Sequence, residues 1–78
     1  MVRTENNFKL EISTYWGDKE YSHRKACVMK NSNGYYVDMW DHDQLIESRT
    51  LYEHSEIYAE NAAENYVLGI MNYDSKTN

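Results

Sequence analysis

Three carboxylates and one imidazole fall within the run Asp38-Met39-Trp40-Asp41-His42-Asp43. That is a density of oxygen and nitrogen donors a divalent cation can use. A helix-loop-helix calcium site also needs ligands at alternate positions, a central glycine and a distal glutamate. Here the glycine is missing and Glu47 arrives too early. The run reads as a solvated turn between strands, and no metal or other cofactor is expected.

Nucleophilic chemistry would need Cys27 beside one of the three histidines, His23, His42 or His54, in a partly exposed electropositive setting. Cys27 lies two residues from Lys25 inside an alternating apolar run, which suits a half-buried side chain in a sheet. A 78-residue chain also has little room for a concave pocket with a supporting shell. The expectation is a protein that is not an enzyme.

Arg24, Lys25 and Lys30 with Tyr21, Tyr35 and Tyr36 resemble a minimal nucleic-acid surface of aromatics between cations. The net charge of −5 opposes the electrostatic term that dominates such binding. Direct nucleic-acid binding is not expected, and the lysines read as guards of a strand edge.

The negative charge is unevenly placed. Residues 1–30 carry a net +2, whereas residues 31–75 carry nine acids against Arg49 alone. Glu56, Glu60 and Glu64 repeat at helical spacing with no lysine placed to pair with them. Ile57, Leu68 and Met71 project on the same outward side, away from a stripe of Ala59, Ala62, Ala63, Tyr66, Val67 and Ile70. Apolar residues set in an acidic helix face suit a partner-binding surface.

These groups need elements to hold them. Phe8, Leu10 and Ile12 alternate with Lys9, Glu11 and Ser13, predicting a half-buried strand over 8–16. After a turn at 17–20, a second strand over 21–30 sets Ala26 and Val28 against Cys27 and Met29. Asn33-Gly34 predicts a tight hairpin, both residues tolerating positive φ. A third strand over 35–40 sets Tyr35, Val37 and Met39 opposite Tyr36, Asp38 and Trp40. A turn at 41–44 leads to a fourth strand over 45–52. Ser55 then caps a helix running to about residue 71, with Gly69 weakening its last turn. The short connections favour an antiparallel meander.

The fold class expected is therefore α+β: a three- to four-stranded antiparallel sheet with one C-terminal helix packed on it. Residues 1–78 form a single domain, with 1–7 and 72–78 as loose tails. One cysteine, no signal-peptide pattern and no apolar run near the roughly 20 residues of a membrane span point to a reducing, cytoplasmic setting. Eight tyrosines and two tryptophans against one phenylalanine favour rings that reach the surface.

The run Tyr58-Ala59-Glu60-Asn61-Ala62-Ala63-Glu64-Asn65-Tyr66, with Gly69-Ile70 behind it, resembles the closing helix of small proteins encoded by tailed bacteriophages. Those proteins tend to be short, acidic, proline-poor and built of hairpins followed by a helix. The resemblance covers a minor part of the chain and brings no active site with it. It implies a host-directed role of the anti-CRISPR type, in the cytoplasm of an infected cell.

Together these readings predict a protein-binding inhibitor that occupies the basic groove of a host nucleic-acid-handling protein, as a DNA mimic would. The surface expected to carry it comprises Asp38, Trp40, Asp41, Asp43, Glu56, Tyr58, Glu60, Glu64 and Leu68, with Tyr15, Tyr36 and Tyr52 as further aromatic anchors. The alternative is a homodimer or larger homo-oligomer pairing through a sheet edge or the helix.

Overall fold

A computed structural model describes residues 9–71. Strands β1 (Leu10–Trp16), β2 (Arg24–Asn31), β3 (Gly34–Asp41) and β4 (Gln44–Leu51) precede one helix, α1 (Glu56–Val67). The strands pair in chain order and all antiparallel, so the sheet is the expected meander with a helix packed on it. The expected strand position at Phe8 and the tails 1–7 and 72–78 lie outside the described residues. No helix among the described residues is long and apolar enough to cross a membrane.

Both tight hairpins are present, and each differs from its sequence signature. The β2–β3 turn centres on Ser32-Asn33, because Asn31 Oδ1 accepts from the backbone N–H groups of Asn33 (2.8 Å) and Gly34 (3.2 Å). Gly34 takes the positive φ of 139° as the first residue of β3, so Asn33-Gly34 is not the central pair. The β3–β4 turn places both His42 (φ 53°) and Asp43 (φ 67°) in the left-handed region. That backbone suits a two-residue hairpin, but Asn-Gly normally supplies it.

One face of the sheet receives α1. Ala26 and Val28 from β2 and Val37 and Met39 from β3 meet Ala59, Ala63, Tyr66 and Val67 in a single closed core. The alanines let the helix backbone approach the strands, and Tyr66 and Met39 fill the remaining volume. Each large side chain buried this fully contributes about 1.5–3 kcal/mol.

Two bulges adjust the edge strands. In β1 the register shifts between Glu11 and Ser13, so Ile12 is the extra residue and packs against the core. Beyond it the alternation flips, and Ser13 and Tyr15 face the helix in place of the expected outward Ser13. In β4 the shift lies between the partners of Met39 and Trp40, making Ile46 the extra residue.

The helix begins as expected: Ser55 Oγ accepts from the Tyr58 N–H at 3.2 Å. It stops at Val67, earlier than residue 71. Gly69 (φ 82°) donates to the Tyr66 carbonyl, and Ile70 donates to that of Asn65. This reciprocal pattern closes a helix, so Gly69 ends α1 rather than weakening it. The reversal corrects two placements. Ile70 is turned out to solvent at 71% exposure, and Met71 folds back against the core.

Candidate functional site

The expected binding surface divides over three places. Asp38 and Trp40 stand on the face of the sheet opposite α1, since they alternate with Val37 and Met39. Asp41 and Asp43 lie at the β3–β4 turn. Glu56, Tyr58, Glu60, Glu64 and Leu68 belong to the helix or its C-cap on the other side. The acidic groups of the strands and of the helix therefore do not form one continuous patch.

On α1 the glutamates are not equivalent. Glu60 accepts from Ser13 Oγ at 3.2 Å and Tyr15 Oη at 3.4 Å, bonds that the β1 bulge makes available. Glu56 accepts from Tyr35 Oη at 3.5 Å. Glu64 is exposed. Burial, followed by the nearby Glu60 carboxylate, pushes the Tyr15 phenol above its ordinary pKa. The solvent stripe of α1 is thus Ile57, Asn61, Glu64 and Leu68, with Tyr58 beside it and its ring stacked on His54 at 3.7 Å. Ile57 is 70% exposed and Leu68 52%.

The open sheet face holds a row that sequence patterning did not single out. Trp16, Lys25, Trp40 and Leu45 are successive cross-strand partners through all four strands. Lys25 Nζ lies 5.2 Å from the Trp16 ring centroid and 4.7 Å from that of Trp40. Such cation–π contacts hold the ammonium between the rings and order both indoles. Trp16 remains 67% exposed, and among the described residues the Trp40 Nε1–H is buried with no hydrogen-bond partner. In the next row Ser48 Oγ donates to Asp38 at 2.6 Å, and Thr14 Oγ1 lies 3.8 Å from Cys27 Sγ. Burial pushes the Cys27 thiol up, which lowers its thiolate fraction and its reactivity. Tyr36, expected as an exposed anchor, is buried on this same face.

The basic trio of the N-terminal half is also divided. Arg24 runs beneath the helix, where its Nη1 donates to the carbonyl oxygens of Tyr66 (2.8 Å) and Met71 (3.3 Å). Its guanidinium lies between the rings of Tyr21 (4.9 Å) and Tyr66 (4.6 Å). Lys25 faces the open side and Lys30 the helix side, next to Tyr35. Arg24, Lys25 and Lys30 therefore do not form one cationic surface.

At the end of the sheet the fold assembles a group the linear run did not show. Asp41 ends β3 opposite Arg24, and the His42 N–H donates to the His23 carbonyl at 2.8 Å. His23 Nδ1 and His42 Nδ1 lie 2.5 and 2.8 Å from the same Asp41 Oδ1, and the two imidazoles stack at 4.4 Å. Asp43 stays exposed at the turn tip.

No family model matches the chain, and no curated protein or solved structure does so either.

Proposed function

We propose that the protein is a non-enzymatic binding module that docks the outward face of α1 on a basic surface of another protein. One observation carries this reading: Ile57 and Leu68, both more than half exposed, share a solvent stripe with Glu64 on a helix that contains three glutamates and no cation. Apolar side chains supply the burial such an interface needs. The uncompensated charge selects a Lys/Arg-lined partner and speeds its approach.

The resemblance to small phage proteins supports a more specific form of this reading. In it the partner is a nucleic-acid-handling protein of the infected host, and occupation of its basic groove inhibits it in the host cytoplasm. The contact surface in this reading comprises Tyr58, Glu64 and Leu68 of the expected set, together with Ile57 and Asn61, all of them exposed on α1 or its C-cap. Glu56 and Glu60 contribute charge while also holding β1 and β3.

A photo-crosslinking amino acid at position 61, compared with one at position 50 on the open sheet face, tests the surface directly. The reading requires crosslinks from 61 to a basic protein, weakened by salt and by a Glu64→Lys, Leu68→Ser double variant. Crosslinks that arise from position 50 instead, or that ignore salt and both substitutions, would reject it.

A second reading, self-association, is favoured by the Trp16–Lys25–Trp40–Leu45 row and by the edges of β1 and β4, which pair with no further strand among the described residues. Pairing of two such faces would bury the exposed Trp16 and Leu45 side chains.

A further inference from the structure

The geometry points to a binding site for a divalent transition-metal ion, Zn²⁺ in the first instance, formed by His23 Nδ1, Asp41 Oδ1 and His42 Nδ1. This inference is independent of what α1 docks on. The three ligand atoms lie within 4.8 Å of one another and come from two places in the chain, His23 and the adjacent pair Asp41-His42, that the hairpin locks together. Arg24 pairs with Asp41 in the ladder, and the backbone bond from His42 to His23 closes the end of that ladder. The donors are thus held close before any ion arrives, which reduces the ordering needed on binding.

Two imidazoles and one carboxylate form a borderline donor set. It suits Zn²⁺, Ni²⁺ or Cu²⁺ and disfavours Ca²⁺ and Mg²⁺, which take oxygen ligands. Both imidazole nitrogens converge on one carboxylate oxygen, so in the ion's absence that oxygen accepts from whichever ring nitrogens carry a proton. An ion replaces those protons. The adjustment required is small and defined. A tetrahedral ion with bonds of about 2.0–2.1 Å separates neighbouring ligand atoms by about 3.3 Å. The two N···O contacts must open to that value from 2.5 and 2.8 Å, and the parallel rings must turn toward each other.

Room for this exists. The His42 side chain is 74% exposed and that of His23 31% exposed, so the rings can rotate without displacing the core. Three protein ligands leave a coordination position open, as in metal sites that keep a water or take a further ligand. A cavity of about 220 Å³ adjoins the two histidines and is lined also by Trp16, Lys25 and Trp40. The Trp40 Nε1–H, a buried donor without a partner among the described residues, belongs to that lining residue.

Isothermal titration of the full chain with Zn²⁺, and separately with Ca²⁺ and Mg²⁺, tests the site. The expected result is one saturable Zn²⁺ site and no matching Ca²⁺ or Mg²⁺ site. His42→Asn retains a residue that tolerates the left-handed backbone and so keeps the fold. It should weaken Zn²⁺ binding by more than about tenfold, the lower end of what loss of even an outer partner causes at metal sites. His23→Gln should do the same, whereas His54→Ala should leave binding unchanged, because His54 stacks on Tyr58 away from the site. X-ray absorption at the zinc edge should show imidazole nitrogen together with oxygen in the coordination shell. The inference is overturned by the absence of saturable Zn²⁺ binding, by binding that survives His42→Asn and His23→Gln, or by equal affinity for Ca²⁺.

Discussion

Arg24 reaches from the start of β2 to the far end of α1, where its Nη1 donates to the Tyr66 carbonyl oxygen at 2.8 Å. That bond joins the first core strand to the closing turn of the helix, across 42 residues of chain. The same guanidinium bonds the Met71 carbonyl and lies against two tyrosine rings, so one buried cation adds a charged donor to the closing turn and adds packing.

The first prediction concerns this anchor. Arg24→Ala should destabilise the fold by about 3 kcal/mol, because it removes charged hydrogen bonds and opens space between Tyr21 and Tyr66. Arg24→Lys should recover less than half of that loss, since an ammonium cannot reproduce the planar stack. Urea unfolding followed by circular dichroism measures both. Full recovery by lysine would show that charge alone matters.

The β3–β4 turn gives a second prediction, in which stability and metal binding move in opposite directions. His42 and Asp43 both occupy left-handed backbone, which costs an ordinary residue about 1–2 kcal/mol. An Asn-Gly pair suits that geometry best. The double variant His42→Asn, Asp43→Gly should therefore raise stability by about 1 kcal/mol or more while losing Zn²⁺ affinity. Thermal unfolding with and without Zn²⁺ separates the two effects, and a less stable metal-free variant would contradict the turn assignment.

The strand alternation, the Ser55 cap and the alanine stripe were legible in the sequence because each depends on local periodicity. The His23–Asp41–His42 group was not, and the reason is register. A hairpin centred on Asn33-Gly34 would put His23 opposite Gln44. The Asn31 side chain moves the centre to Ser32-Asn33, which brings His23 beside His42. A one-residue displacement of the turn centre, which shifts the pairing register by two, thus decided whether the donors met. The bulge at Ile12 had a similar effect on the helix: it turned Ser13 and Tyr15 toward Glu60 and converted part of an apparently unengaged ridge into interior contacts. Neither a bulge nor a turn centre leaves a periodic signal, so alternation alone could not place these side chains.

Alkaline pH should reveal the Tyr15–Glu60 contact. Burial and then the Glu60 charge raise the Tyr15 pKa, and burial followed by Asp38 raises that of Tyr36. The folded state therefore holds these phenolic protons more tightly than the unfolded state does. The resulting stabilisation is complete below the unfolded tyrosine pKa of about 10 and is lost as pH rises through the higher folded values. Glu60→Gln should bring the Tyr15 titration partway down, as followed by tyrosinate absorbance, while burial keeps it above the ordinary value. An unchanged titration in Glu60→Gln would show that burial acts alone.

The open sheet face yields the last prediction. Trp16 is 67% exposed, pairs across the strands with Lys25, and contributes one of the two rings next to that ammonium. Exposed cation–π contacts are worth about 0.5–1 kcal/mol, and Trp40 remains in place when Trp16 is removed. Trp16→Ser should accordingly lower folding stability by less than about 1 kcal/mol. Its effect on association distinguishes the two uses of the surface. If copies pair through the Trp16–Lys25–Trp40–Leu45 row, sedimentation of the parent chain should show a concentration-dependent dimer that Trp16→Ser dissolves. A monomer at every concentration, unchanged by the substitution, would remove the self-association reading. The outward face of α1 would then stand as the proposed docking surface.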